Sequence, residues 1–269
     1  MPPFPFSLTD ARGHTLRLTK PPQRIVSLVP SLTELLAALG LDQQVVGLTR
    51  FCVRPSGWKH RKTIVGGTKQ LNLERLLQLA PDLVLANWEE NTRQMVEALE
   101  PHVPVFVTHV RTLDEALQMI RQIGCLTATE AIAEQLAATI EERFALLPSF
   151  PPVRTLYLIW RNPYMSIGSD TFIHDILSRG GFINVCAAQT RYPVLSEEVI
   201  QALQPEVVLL SSEPYPFKET HIEALRPLCP KATFLLVDGQ LFSWYGARLL
   251  ETPAYLQQLR TQRLGRLPS

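Results

Sequence analysis

The chain has 269 residues, 46% of them hydrophobic and 8% aromatic, with a formal net charge of +1. That is enough apolar material for one large core or two smaller ones. A near-neutral balance with no run of like charge excludes a partner held mainly by electrostatics, such as nucleic acid or an acidic membrane face. No apolar stretch reaches membrane-spanning length, so no membrane insertion is expected. The N-terminal stretch MPPFPFSLTDARGHTLRL lacks a basic region and an apolar run of signal-peptide length, so by itself it carries no export address.

Taken in order, Ser7 to Leu18 reads as a hairpin turning at Gly13, and Pro21-Pro22 closes it. Arg24 to Val29 is a short buried strand. Ser31 and Glu34 then have the S-x-x-E spacing of a capping box for a helix over Leu32 to Leu39, which Gly40 stops. Val45 to Leu48 is a second strand, and a basic loop from Thr49 to Lys69 follows, with a Gly66-Gly67-Thr68 turn. Asn72 caps a helix over Leu73 to Leu79, and Leu83 to Ala86 is a third strand. Thr92 to Leu99 is helical, Val103 to Val107 is a strand, and Leu113 to Ile123 is a helix.

The stretch Thr127 to Leu147 predicts one long helix. Ile132, Leu136, Ile140, Phe144 and Leu147 form its apolar stripe, Thr127 and Glu130 its capping box, and Pro148 its stop. At 1.5 Å per residue it would span roughly 30 Å and could act as a strut. Beyond it the pattern restarts. Strands are expected over Arg154 to Trp160, Ile183 to Cys186, Val207 to Leu210 and Thr233 to Val237. Helices are expected over Thr171 to Leu177, Glu197 to Leu203, His221 to Leu225 and Ala254 to Arg263.

The restart is a repeat. LNLERLLQLAPDLVLA from Leu71 aligns with LSEEVIQALQPEVVLL from Leu195, and VEALEPHVP from Val96 aligns with IEALRPLCP from Ile222. Two aligned segments in the same order predict an α/β fold of two similar βα lobes joined by one long backbone helix. The expected organisation is an N-terminal lobe over residues 1–126, a linking helix over 127–150 and a C-terminal lobe over 151–269.

Ligands of open parallel sheets bind beyond the carboxyl ends of the strands. Two such lobes would define a ligand cleft between them. The residues just past the predicted strands are Ser31, Phe51, Cys52, Trp88, Glu89, Glu90, Trp160, Arg161, Glu213, Tyr215, Phe242, Trp244 and Tyr245, with Tyr164 and Phe217 nearby. Trp and Tyr offer rigid contact area with a polar handle, which suits a large conjugated ligand, although tryptophans also serve as plugs at sheet ends. Cys52, Glu89, Glu90 and Glu213 are candidate metal ligands, while adjacent Glu89-Glu90 equally fits a solvated loop. His14, His60, His102, His109, His174 and His221 show no metal-binding spacing. Cys52, Cys125, Cys186 and Cys229 form no CxxC and are expected to be reduced and unpaired. No GxSxG, P-loop or GxGxxG is present, so no catalytic residue and no catalytic cofactor are expected.

The segments QRIVSLVPSLTELLAALG, VVGLT and the GGT-to-NLERLLQLAPDLVLA block resemble the helical-backbone (class III) substrate-binding proteins of ABC importers. Cobalamin and iron–siderophore binders are the nearest in pattern, and the resemblance runs from about Ser7 to Leu259, with WYGARLL similar to the family's last helix region. It implies two lobes, a rigid linking helix, a ligand held between the lobes with small hinge motion, and a periplasmic location. The implied ligand is a metal chelate such as cobalamin, haem or a ferric siderophore. It also implies that Glu74 and Glu198, at matching positions of the repeat, dock on arginines of an ABC permease, although glutamate in a first helical turn is favoured by the macrodipole anyway. The chain is expected to act as a monomer. Two alternatives share the bilobed plan: a cytosolic chelatase-like or tetrapyrrole-handling enzyme, and a direct metal-ion receptor.

Overall fold

A computed structural model describes residues 4–264, and the chain divides into two compact units. The first comprises Met1–Val110, Asp114–Glu142 and Tyr245–Arg248; the second comprises Arg111–Leu113, Arg143–Trp244 and Leu249–Ser269. The division therefore assigns most of the expected linking helix, and a short late segment, to the first unit.

In the first unit, β1 (Phe6–Thr9) and β2 (Thr15–Leu18) form the expected hairpin, and Gly13 turns it with a φ of +79°. A five-stranded parallel sheet follows, in the order β5 (Thr63–Ile64), β4 (Val45–Leu48), β3 (Ile25–Ser27), β6 (Leu83–Asn87), β7 (Val105–Thr108). The strands β3, β6 and β7 are buried along their whole length, as parallel strands covered on two faces must be. The connecting helices are α1 (Pro30–Ala38), α2 (Trp58–Arg61), α3 (Leu73–Leu77) and α4 (Arg93–Leu99). Asn72 and Thr92 cap α3 and α4, accepting from the backbone N–H groups of Arg75 and Met95. The basic loop after β4 is more structured than the sequence suggests, because it contains α2 and β5.

The first helix corrects one expectation. It starts at Pro30, with Val29 as its uncapped flank, so Ser31 lies inside the helix and is no cap. Proline at the first helical position gives up no hydrogen bond, which lets the helix start there. Glu34 consequently has no capping role; its carboxylate pairs with Arg248.

The long helix is also corrected. The helix α5 (Leu113–Thr127) runs farther than expected, Ala128 takes the left-handed conformation at φ +57°, and α6 (Glu130–Ala145) begins anew. Thr127 is the end of α5, its hydroxyl donating to the Ile123 carbonyl at 2.7 Å, so the Thr127–Glu130 capping box does not form. With 16 residues, α6 spans about 24 Å. Its buried stripe is Ala133, Leu136, Ala137, Ile140 and Phe144, while Ile132 is 47% exposed. Gly124 allows α5 to approach α6, since a Cβ there would overlap Ala133, and Arg121 pairs with Glu134 across the contact at 2.7 Å. From α6 the chain passes into the second unit.

The second unit holds a four-stranded parallel sheet in the order β10 (Phe182–Asn184), β8 (Val153–Leu158), β12 (Val207–Ser211), β13 (Thr233–Val237). A small antiparallel pair joins β9 (Tyr164–Met165) to β11 (Val194–Leu195). The helices are α7 (Phe172–Arg179), α8 (Glu197–Leu203), α9 (Glu219–Leu225), α10 (Gln240–Ser243) and α11 (Thr252–Gln258), the last continuing into a wider turn over Leu259–Arg263.

The repeat is structural. The alignment that matches Leu71 with Leu195 places Leu83–Asn87 on Val207–Ser211, strand on strand and end on end. The second segment places Arg93–Leu99 on Glu219–Leu225. The strand order β4-β3-β6-β7 of the first sheet recurs as β10-β8-β12-β13 in the second. Val103 and Cys229, aligned in the repeat, are both buried in the cores of their own units. Among the described residues no helix is long and apolar enough to cross a membrane.

The register of α6 gives a direct test. Ile140→Ala, at a position with no exposure, should lower the unfolding free energy by about 2–5 kcal/mol. Ile132→Ala should cost well under half of that loss, as measured by denaturant titration. Equal losses would return Ile132 to the buried stripe.

Candidate functional site

Because every strand of each main sheet is parallel, the carboxyl ends of its strands share one edge. At that edge of the first unit, Asn87 ends β6. Its Nδ2 donates to the Thr108 carbonyl at 3.0 Å, and its Oδ1 accepts from the N–H groups of Glu89 at 2.9 Å and Glu90 at 3.2 Å. This Asx-type turn places Trp88 on the outside, 53% exposed. The neighbouring strand β7 delivers His109 beside it, stacked on the indole with centroids 5.9 Å apart and its Nε2 3.6 Å from the Glu89 carboxylate. Glu89 and Glu90 are half-buried. Phe51, 52% exposed, carries the Arg50 guanidinium 5.5 Å above its ring. Gly66-Gly67-Thr68 makes a turn closed by the Gly67 N–H donating to Gln70 at 2.7 Å, and Gly66 adopts a φ of +133° that only glycine takes easily.

Other candidates in this unit are inside. Ser31 and Tyr245 are buried. Cys52 has no exposure, and its Sγ lies 3.1 Å from the Thr33 hydroxyl and 3.2 Å from that of Thr49. Burial pushes its thiol above the ordinary value despite those hydroxyls. A protonated thiol sealed among hydroxyls is a packing residue, which corrects its reading as a metal ligand.

At the corresponding edge of the second unit, Trp160 is 39% exposed and meets Tyr215 edge to face at 5.7 Å. Tyr215 packs against Phe217 at 4.8 Å, and Phe217 against His221 at 5.5 Å. The Lys218 backbone N–H donates to His221 Nδ1 at 2.8 Å. The neutral ring therefore carries its proton on Nε2, which donates to the Tyr215 hydroxyl oxygen at 3.2 Å. Burial, followed by the charges of Arg161 and Lys218, pulls the His221 pKa below its usual value and keeps the ring neutral. Phe217 and Tyr164 belong to the core of this unit.

Phe242 is wholly buried between Tyr157 and Tyr255, at 5.2 and 6.1 Å. Trp244 is buried too, its Nε1 donating to Glu213 Oε1 at 2.7 Å, while the Ser243 hydroxyl donates to the same oxygen at 2.9 Å. Glu213 is thus the anchor of the Ser243–Trp244 turn, which corrects its reading as a metal ligand. Burial raises its pKa, partly opposed by those two donors. Among the described residues no three His, Cys, Asp or Glu side chains group so as to hold a metal ion.

The edge residues whose contacts the sequence did not reveal are His109 and His221, named only for their lack of metal-binding spacing. Both stand within a few positions of a strand end or an aromatic candidate. The rule that selected Trp88, applied to β7, would have found His109.

With this geometry in view, the periplasmic binding protein family model matches residues 25–226, and the chain belongs to that family. It is a binding protein and not an enzyme. An uncharacterized ABC transporter substrate-binding lipoprotein, YvrC of Bacillus subtilis, is 28% identical over 77% of this chain and 69% of its own length. A cobalamin-binding protein of Halobacterium salinarum is 29% identical over 77% of this chain and 58% of its own length. The solved structure of the periplasmic heme-binding protein RhuT from Roseiflexus sp. RS-1 in apo form shares the fold. Its TM-score is 0.76, with 25% identity, 88% of this chain covered and 96% of that one. The α/β plan of two βα lobes is therefore that of the family.

The Glu213 anchor predicts a pH dependence. A carboxyl whose folded pKa lies above its unfolded value favours the folded state at low pH, and that contribution is lost as pH rises through the folded pKa. Glu213→Gln keeps an acceptor for Trp244 Nε1 and removes the charge. Its stability relative to wild type should therefore improve from pH 4 to pH 7 in thermal melts, and a pH-independent difference would contradict the buried charge.

Proposed function

We propose that this chain is the substrate-binding component of an ABC-type importer and that its ligand is a bulky conjugated metal chelate such as cobalamin, haem or a ferric siderophore. The observation that carries the reading is the exposure of Trp88 and Trp160 at the carboxyl edges of their sheets. Exposed tryptophan is costly to leave in water and is common where a flat ligand stacks. The names of the relatives, a cobalamin-binding and a heme-binding protein, support the same class. A bare metal ion would require a group of donor side chains, whereas Glu89 and His109 form only a pair beside the exposed ring of Trp88, and no group of three donors occurs among the described residues. A periplasmic or lipid-anchored location outside the cytoplasmic membrane follows from this role.

Titration with haem or cobalamin should quench tryptophan fluorescence. Trp88→Ala and Trp160→Ala should each weaken binding about tenfold or more, the usual cost of truncating a buried aromatic anchor. Unchanged affinity in both variants would remove the aromatic reading.

Permease docking would use Glu74 and Glu198. Each is exposed at the second position of its helix, α3 or α8, and the two are equivalent in the repeat. The Ser196 hydroxyl holds the Glu198 carboxyl below its usual pKa, so it is anionic at neutral pH. Changing both to alanine should abolish binding to a reconstituted permease while ligand affinity stays within twofold or so, because such charges act in the encounter with arginine. Undiminished docking by the double variant would leave both as ordinary helix-start residues.

A further inference from the structure

Arg161 follows Trp160 just beyond β8 and has no acidic partner among the described residues. Its Nε is buried without an acceptor, and Arg161 makes no hydrogen bond or ion pair among the described residues. The surrounding groups do not neutralise it. His221 is neutral, with its Nδ1 taken by the Lys218 N–H and its Nε2 turned to Tyr215. Lys218 adds a second positive charge near that ring. Glu213, the carboxylate in the adjoining turn, has its Oε1 engaged by Ser243 and Trp244. A half-buried guanidinium with an unmet donor is costly, and that cost disappears when an acceptor arrives. The guanidinium is a planar fork matched to planar oxyanions, and here its charge acts on His221, whose ring packs on Tyr215, the ring that meets the exposed indole of Trp160.

Building on the chelate reading above, we propose that Arg161 receives an oxyanion, a carboxylate or phosphate, carried on the periphery of the ring ligand that stacks at Trp160. The ligand class is thereby narrowed to ring systems with an anionic substituent. Arg161 would select among chelates, and Trp160 would hold the ring.

The test compares ring ligands with and without the oxyanion. Haem is set against its dimethyl ester, which has no free carboxylate, and cobalamin against cobinamide, which lacks the nucleotide phosphate. Binding is read by absorbance and tryptophan quenching in wild type, Arg161→Gln and Arg161→Lys. For whichever ring system binds, wild type should prefer the oxyanion form by about tenfold or more. Arg161→Gln should erase that preference without weakening the capped form, and Arg161→Lys should retain part of it. A preference in the haem pair assigns a carboxylate, and one in the cobalamin pair a phosphate. Equal binding of both members of a pair by wild type, or an undiminished preference in Arg161→Gln, overturns the proposal and leaves the chelate reading standing. If no ring system binds, the chelate reading fails and takes this inference with it. The wild-type comparison decides the matter even if Arg161→Gln does not fold.

Discussion

The structure depends on one constraint, the parallel arrangement of both main sheets. Parallel strands must be returned by crossovers, so their carboxyl ends all open on one edge and their faces are covered. The core strands β6 and β12 are buried at all five positions, and the turns beyond their last residues lie at that edge. There the two units use the same device at equivalent positions. Asn87, the last residue of β6, accepts from the N–H groups of Glu89 and Glu90. Ser211, the last residue of β12, bonds Tyr157 and both ends of Glu213. A polar side chain at the strand end satisfies the first turn beyond it, and that turn fixes where the next side chains stand.

From the same turn the repeat diverges. Glu89 stays half-buried at the surface, beside His109, and Trp88 lies open against that histidine. Its equivalent, Glu213, is drawn inward and accepts from an indole and a hydroxyl. Equivalent carboxylates thus do different work because their neighbours differ: an imidazole at the surface in one unit, a buried tryptophan in the other. A buried carboxylate with two donors on one oxygen is a structural anchor, since removing either donor would leave charge unsatisfied in a low-dielectric surrounding.

What the sequence revealed and what it hid divide along physical lines. Periodicity, proline stops and the aligned LNLERLL and LSEEVIQ segments located the strands and caps because those signals are local. Asn72 and Ser196 cap their helices as side-chain chemistry predicts, and Thr92 and Thr171, read as the first residues of theirs, are caps too. Glu34 was misread because its partner, Arg248, is 214 positions away and no local spacing reports it. Thr127 was misread because S/T-x-x-E spacing says nothing of the preceding helix, which runs through it. At the candidate site, sequence could place Phe242 and Trp244 near a strand end but could not tell inward from outward. Side-chain direction there is set by Tyr157, Tyr255 and Glu213, none of them within reach of a local pattern.

That distinction bears on how a ring ligand would be recognised. Of the aromatic residues near the second sheet's edge, Phe242 and Trp244 are committed to the protein, and Tyr215 is fixed by Phe217 and the His221 hydrogen bond. Among the described residues there, Trp160 offers the large open face, as Trp88 does in the first unit. Fixed neighbours leave these few open rings little rotamer freedom to lose, so stacking on them costs less ordering entropy than closing a loose aromatic loop would. Flat contact alone would accept many conjugated rings. Discrimination must then come from polar groups whose needs the protein leaves unmet, because an unpaired buried donor penalises every ligand that cannot supply its acceptor.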